Sequence, residues 1–334
     1  MILVRTDQLY HLMFKSISKP IIPCLRIFLT LVSLKEVLVV GHKMRGYFSS
    51  EYLFYHEGLV TDFVYDFLYT YHEVLIWGAV LFGVLASVGL LARYSLAVYV
   101  LLYSVLFYFD NSLGIYNHEA GLTIQILFVL IFAPGVQNWS LDRWIKYGYR
   151  ATKSIVSYSD WGLKLVLLLV MVGYFTAGVS KIRYGGVEWL DGKTLQYYLS
   201  GRASFVNSPA QKFIPVSEDL DWKGSDGIVA YTYGNFQTRP QFIEFGKWVA
   251  SNDVMMIFLS IATLIFELGS IFMLFWLPYR TLYLLSAVLF HFSIRVFMGL
   301  GFLDYQVICL ALVDWKYVST KLSLFFIWMK SKTT

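Results

Sequence analysis

Seven residues lie within, or at the mouths of, apolar stretches and carry groups that hydrocarbon does not tolerate cheaply: Lys35, Glu36, His118, Lys181, Glu267, His291 and Arg295. Two amines, two imidazoles and two carboxylates are the groups that move protons, so general acid–base work is the chemistry they suggest. Each also has a structural reading. Lys35 and Glu36 can pair with other helices, Glu267 and Arg295 can neutralise one another, and His291 can be a hydrogen-bonded packing residue.

Lys181 is the strongest candidate, because it closes a span containing Gly173, Tyr174, Ala177 and Gly178. Gly173-xxx-Ala177 allows a second helix to approach closely, and Tyr174 and Gly178 fall near the lysine's own face. Two readings of Lys181 are open. It snorkels to the outer interface as an anchor, or it is held partly desolvated, gives up its proton readily and acts as a base. His118 follows Asn117 in Tyr116-Asn-His-Glu119, at the mouth of another span on the same membrane side, and Asn117 and Tyr174 are supporting polar groups. The chain has six histidines but neither an HExxH nor a Cys/His cluster, so no metal site is expected. A phosphate-cradling glycine loop and a GxSxG nucleophile elbow are equally missing.

The elements that must position these residues are set by composition. The chain is 57% apolar and 15% charged, against about 45–50% and about 25% in soluble domains. Stretches such as Leu163 to Ser180 and Val254 to Pro278 are long enough to cross hydrocarbon. The expected fold is therefore an all-α integral membrane protein, a polytopic transmembrane helix bundle of about eight spans with one long extracytoplasmic loop. The expected spans are 21–41, 74–92, 95–110, 121–136, 162–182, 254–277, 281–299 and 302–315. Residues 1–20 form a cytoplasmic N-terminal segment without the pattern of a cleaved signal. Residues 21–315 form one transmembrane domain and 316–334 a cytoplasmic tail.

Lysine and arginine bias sets the orientation. Lys15, Lys19, Arg93, Arg143, Lys146, Arg150, Lys153, Arg280, Lys316 and Lys321 fall in segments assigned inside, with both termini. The 43–73 loop, carrying Glu51, Glu57, Asp62, Asp66 and Glu73, falls outside. The connection 183–253, rich in Gly, Asp, Trp and Tyr, is also outside, and so long a loop is usually functional. Ser140-Leu-Asp-Arg-Trp144 reads as an interfacial helix, with Ser140 as cap and Trp139 and Trp144 at headgroup level. Cys24 and Cys309 lie in apolar segments and are not a disulfide framework. The net charge of +5 is scattered in short runs between spans, which makes membrane lipid, not nucleic acid, the expected partner.

Tyr174-Phe-Thr-Ala-Gly-Val-Ser-Lys181, followed by Trp189-Leu-Asp-Gly192, resembles the lysine-bearing segment of the vitamin K-dependent γ-carboxylase superfamily, also called the horizontally transferred transmembrane domain (HTTM) family. Asn117-His118, Ser140-Leu-Asp-Arg143, Phe266-Glu-Leu268 and Leu289-Phe-His291 resemble further segments of that family in matching order, over about 20–315. The resemblance implies that Lys181 is the base that deprotonates a reduced quinone, assisted by His118, with His291 and Glu267 as weaker neighbours. It implies a carboxylase-like, quinol-dependent lyase or oxygenase. The chain departs from the animal enzymes, because it ends soon after the last expected span and carries Ser180-Lys181 in place of a lysine pair. Short bacterial relatives include proteins that mature secreted peptide toxins.

Three functions follow as expectations. The first is a bacterial-type, multi-pass cytoplasmic-membrane enzyme that modifies a secreted peptide or a lipid-phase substrate in an extracytoplasmic pocket. The second is a non-catalytic membrane factor for maturation or export of a secreted peptide toxin, working with a peptide or a small accessory protein. The third is a transporter with Glu267, His291 and Arg295 along its path, although no inverted repeat supports it.

Overall fold

The computed structural model describes residues 21–48, 61–112, 119–153, 160–199, 240–298 and 301–333, and these are helical with no strand among them. The helices are α1 (Ile21–Phe48), α2 (Asp62–Val88), α3 (Ala92–Ser112), α4 (Glu119–Phe132), α5 (Leu141–Lys153) and α6 (Trp161–Ser180). They continue as α7 (Lys193–Leu199), α8 (Pro240–Ala250), α9 (Asp253–Gly269), α10 (Leu277–Met298), α11 (Leu303–Leu312) and α12 (Trp315–Thr333).

Five helical stretches are long and apolar enough to cross a membrane: Asp62–Val88, Ala92–Asn111, Trp161–Gly185, Asp253–Leu274 and Leu277–Met298. The other three expected spans coincide with α1, which is long but carries charge, and with α4 and α11, which are apolar but short. One expected loop changes: helix occupies residues 43–48 and 62–73, so the 43–73 loop contracts towards its middle. Residues 316–333 belong to the helix α12. Asp62, Asp66 and Glu73 read as part of a loop by charge, yet Thr61 caps the helix there by accepting the Val64 N–H. Of the long outer connection, 193–199 and 240–250 are helical.

Burial follows helical spacing. On α6 the buried residues are Leu163, Val166, Leu167, Val170, Met171, Tyr174 and Gly178, one stripe at three- and four-residue steps. On α10 they are Arg280, Thr281, Tyr283, Leu284, Ala287 and His291. The opposite faces keep Leu168, Val172, Leu282 and Leu289 exposed, as a lipid-facing surface does.

One end of the bundle is fixed by a polar clamp. Gly89 closes α2 at φ +76°, and a Cβ there would lie 2.1 Å from Arg26 Nη1, so only glycine fits. The Asp142 carboxylate accepts the N–H groups of Leu91 and Ala92 at 2.8 and 3.0 Å, which caps α3 from α5. Arg26 is fully buried and donates to the Trp139 carbonyl at 2.8 Å. Ser140 caps α5 through the Arg143 N–H at 3.2 Å, with Trp144 exposed, as expected of an interfacial helix.

Candidate functional site

Lys181 is the first residue after α6, where the α-helix widens into a π-helical turn over Lys181–Gly185, followed by a 3₁₀ turn over Glu188–Asp191. Such widened turns accompany functional sites. Gly192 then takes φ +79° with its α-carbon packed so closely on α9 that a Cβ would lie 2.7 Å from the Met256 carbonyl carbon. The chain after Lys181 therefore runs along α9, with Lys181 beside Glu267 and Gly192 beside Met256.

The central contact is Lys181 Nζ to Glu267 Oε1 at 2.7 Å. The lysine side chain is 23% exposed and the glutamate 7%. Gly178 allows the approach, because a Cβ there would sit 3.1 Å from Glu267 Cβ. The Trp189 ring covers the lysine at 5.2 Å, a distance suited to cation–π attraction. Glu267 lies fourteen residues beyond Asp253, the first residue of α9, or roughly 21 Å along the axis at 1.5 Å per residue. Lys181 therefore meets a carboxylate of α9 that lies within the apolar stretch Asp253–Leu274.

Two helix turns earlier on α6, Tyr174 Oη lies 2.7 Å from His291 Nε2 and 3.6 Å from Cys309 Sγ, joining α6, α10 and α11. Tyr174 is wrapped edge-on by Phe266, Tyr283 and Tyr305, and Phe266 stacks flat on Tyr283 at 4.5 Å. Glu267 Oε2 and His291 Nδ1 are among the buried atoms that have no hydrogen-bond partner among the described residues. A buried polar atom left unpaired costs free energy, about 1–3 kcal/mol, so each is a natural acceptor or donor for something that enters.

Next to this centre, α7, α8, α9 and α10 line an open apolar pocket of about 630 Å³. Phe266 and Phe290 form its wall towards Tyr174 and His291. Thr263, Ser286 and Ser293 supply its hydroxyls, and Leu259, Leu289 and Phe297 much of the rest.

Of the residues marked in the sequence, the structure brings together Lys181, Glu267, Tyr174 and His291. Glu267 pairs with Lys181, which overturns the expected Glu267–Arg295 pair; Arg295 is exposed on α10. Lys35 and Glu36, expected to reach other helices, lie 3.8 Å from each other, with Lys35 64% exposed. Asn117 and His118 lie outside the described residues, and with them the expected approach of His118 to Lys181. No group of three His, Cys, Asp or Glu side chains able to hold a metal occurs among the described residues.

Three buried polar contacts escaped the sequence reading: Thr123 donating to Asp304 at 2.6 Å, Lys43 to Asp110 at 2.7 Å, and the Arg26 clamp. Each has a charge inside or beside an apolar stretch, the same signal that singled out Lys181. Cys309 was visible only as a thiol in a span.

A bundle of apolar helices with ion pairs closed inside its spans defines a polytopic helical membrane protein with a polar centre. The family model of the HTTM domain matches residues 17–216, more than half of the chain, and the chain belongs to that family. The match includes Tyr174 and Lys181 and stops before Glu267 and His291, which the fold folds back onto them. No curated protein and no solved structure matches the chain.

Proposed function

We propose that this HTTM protein is a membrane enzyme whose base is Lys181, acting on a secreted peptide or a lipid-phase substrate. The observation that carries this reading is the Lys181–Glu267 pair, buried within two spans beside a cavity able to hold an apolar molecule. A desolvated ion pair can neutralise itself by passing the ammonium proton to the carboxylate. Lys181 is then an amine able to accept a proton from a substrate, and Glu267 an acid able to return one. Trp189 covers one side of the lysine, and Glu267 Oε2 and His291 Nδ1 have no partner among the described residues.

The resemblance to carboxylases makes a reduced quinone the candidate cofactor. The apolar lining, the Phe266 and Phe290 rings and the hydroxyls of Thr263, Ser286 and Ser293 fit a lipid-soluble ring compound with a hydrocarbon tail. A quinol, when bound, supplies reducing equivalents and, by reaction with oxygen, a strong base. The chain's own part is to exclude water, orient the ring edge and hold the proton at Lys181.

A second reading, a non-catalytic factor for maturation or export of a secreted peptide, is favoured by the same pair read differently. A lysine already held at 2.7 Å by a carboxylate ties α6 to α9 and need do nothing else. Mass spectrometry of secreted peptides and extracted lipids, from cells with and without the protein, separates the two. A defined mass change that requires the protein supports the enzyme. Unchanged masses with altered secretion of a peptide support the factor and sink the enzyme.

A further inference from the structure

One end of the bundle carries a second feature, which the polar centre does not use. By the up-and-down course of the helices, the start of α3, all of α5 and the start of α12 lie at the same end. The anchor points there are Gly89, Asp142 and the C-terminal end of α11. α12 follows α11 after two residues and packs on the core through Val318 in its first turn. Beyond that turn Leu322, Leu324 and Ile327 are 52%, 55% and 64% exposed, with Phe325 and Trp328 also exposed.

The apolar run Leu322–Met329 is bracketed by Lys316 and Lys321 before it and Lys330 and Lys332 after it, and Trp315–Thr333 contains no acidic residue. Eight residues of helix cover roughly 12 Å, far short of the about 30 Å of hydrocarbon, so this run does not span. Exposed apolar side chains flanked by lysines are the pattern of a segment seated between headgroups and acyl chains. α5 repeats the pattern at the same end: Trp144, Ile145 and Tyr147 are exposed, Lys146 lies over the Tyr147 ring at 5.2 Å, and Arg150 and Lys153 follow in sequence. Lys321 likewise lies over the Tyr317 ring, at 5.6 Å.

Among the described residues, the acidic groups at this end are already engaged. Asp142 accepts from Leu91 and Ala92, Asp314 accepts from the Tyr317 N–H, and Asp160 pairs with Lys164 at 2.9 Å. What the described residues present outward is a basic surface with an aromatic and aliphatic edge. We propose that α5 and α12 form a docking surface for the anionic phospholipid headgroups of one leaflet, with α12 lying in that interface. Lipid is the occupant because the exposed residues combine lysines for phosphate with side chains that belong at acyl depth, whereas an acidic protein partner would meet no matching apolar recess.

The test uses the full chain in nanodiscs of phosphatidylcholine alone or mixed with phosphatidylglycerol, where insertion is complete and topology fixed. Trypsin cleavage after Lys321 is followed by mass spectrometry. Anionic lipid should slow that cleavage by at least about tenfold, since each lysine near such a surface contributes measurably, and high salt should remove the effect. Lys330→Gln/Lys332→Gln should lose the protection while the protein keeps its elution volume. Equal cleavage in both lipids would overturn the proposal, as would protection that follows protein concentration and not lipid charge, which indicates a second copy on α12.

Discussion

At the scale of residues, the account rests on partners and not on residue types alone. Lys181 was identifiable from sequence because a cation closing an apolar span is conspicuous. Its partner was not, because Glu267 lies 86 positions away and Arg295, on the next helix, was an equally plausible match. Removing one member of a buried pair leaves the other charge uncompensated. Glu267→Ala should therefore lower stability by up to about 3 kcal/mol, the low end for such pairs because Lys181 keeps 23% of its side chain exposed. Thermal unfolding in detergent checks this, and the double replacement Lys181→Met/Glu267→Leu should recover much of the loss. Tyr174→Phe should cost about 1–2 kcal/mol by leaving His291 without its hydrogen bond. An unchanged unfolding temperature in Tyr174→Phe would mean that this contact contributes nothing.

At the scale of elements, the ends of helices carry the specificity. Ser140-Leu-Asp-Arg-Trp144 was legible as an interfacial helix with its own cap, and the structure keeps that cap. The second use of the segment, Asp142 capping α3 across a gap of fifty positions, has no local signature and depends on tertiary placement. Asp142→Ala should destabilise the protein by about 1–2 kcal/mol, the range of a lost helix cap. Gly89→Ala should cost more, because it adds a strained φ of +76° to a contact 2.1 Å from Arg26. Unfolding curves and membrane abundance of the two variants should rank them in that order; the reverse ranking would contradict the geometry of the clamp. Charge misled over Asp62–Glu73, where the acids that read as a loop sit on a helix capped by Thr61.

At the scale of the whole molecule, apolar content fixed the class of protein, since blocks such as Leu163 to Ser180 have no place in a soluble fold. The number of spans was harder to read. α1 mixes Arg26, Lys35 and Glu36 into a 28-residue helix, and α4 and α11 are short, so length and apolarity separate these three from the five clear spans. Orientation follows from the basic residues at one end: both termini and residues 137–160 should be cytoplasmic, and 183–253 outside. Cysteine labelling of intact cells, with single cysteines placed at Lys193 and at Lys316, checks this. Labelling of the second but not the first from outside would invert the arrangement.

The central claim is that the Lys181–Glu267 pair works as an acid and a base and is not only a tie between α6 and α9. Arginine keeps the charge and the ion pair, and its side chain does not give up its proton in proteins. It therefore preserves the structural role and removes the chemical one. The most direct measurement is product formation, read by mass spectrometry, in wild type, Lys181→Arg and Lys181→Ala at matched membrane abundance. Expected are normal insertion and no product in Lys181→Arg, with no product and reduced abundance in Lys181→Ala. Full product formation in Lys181→Arg would contradict the claim and leave Lys181 as a structural partner of Glu267.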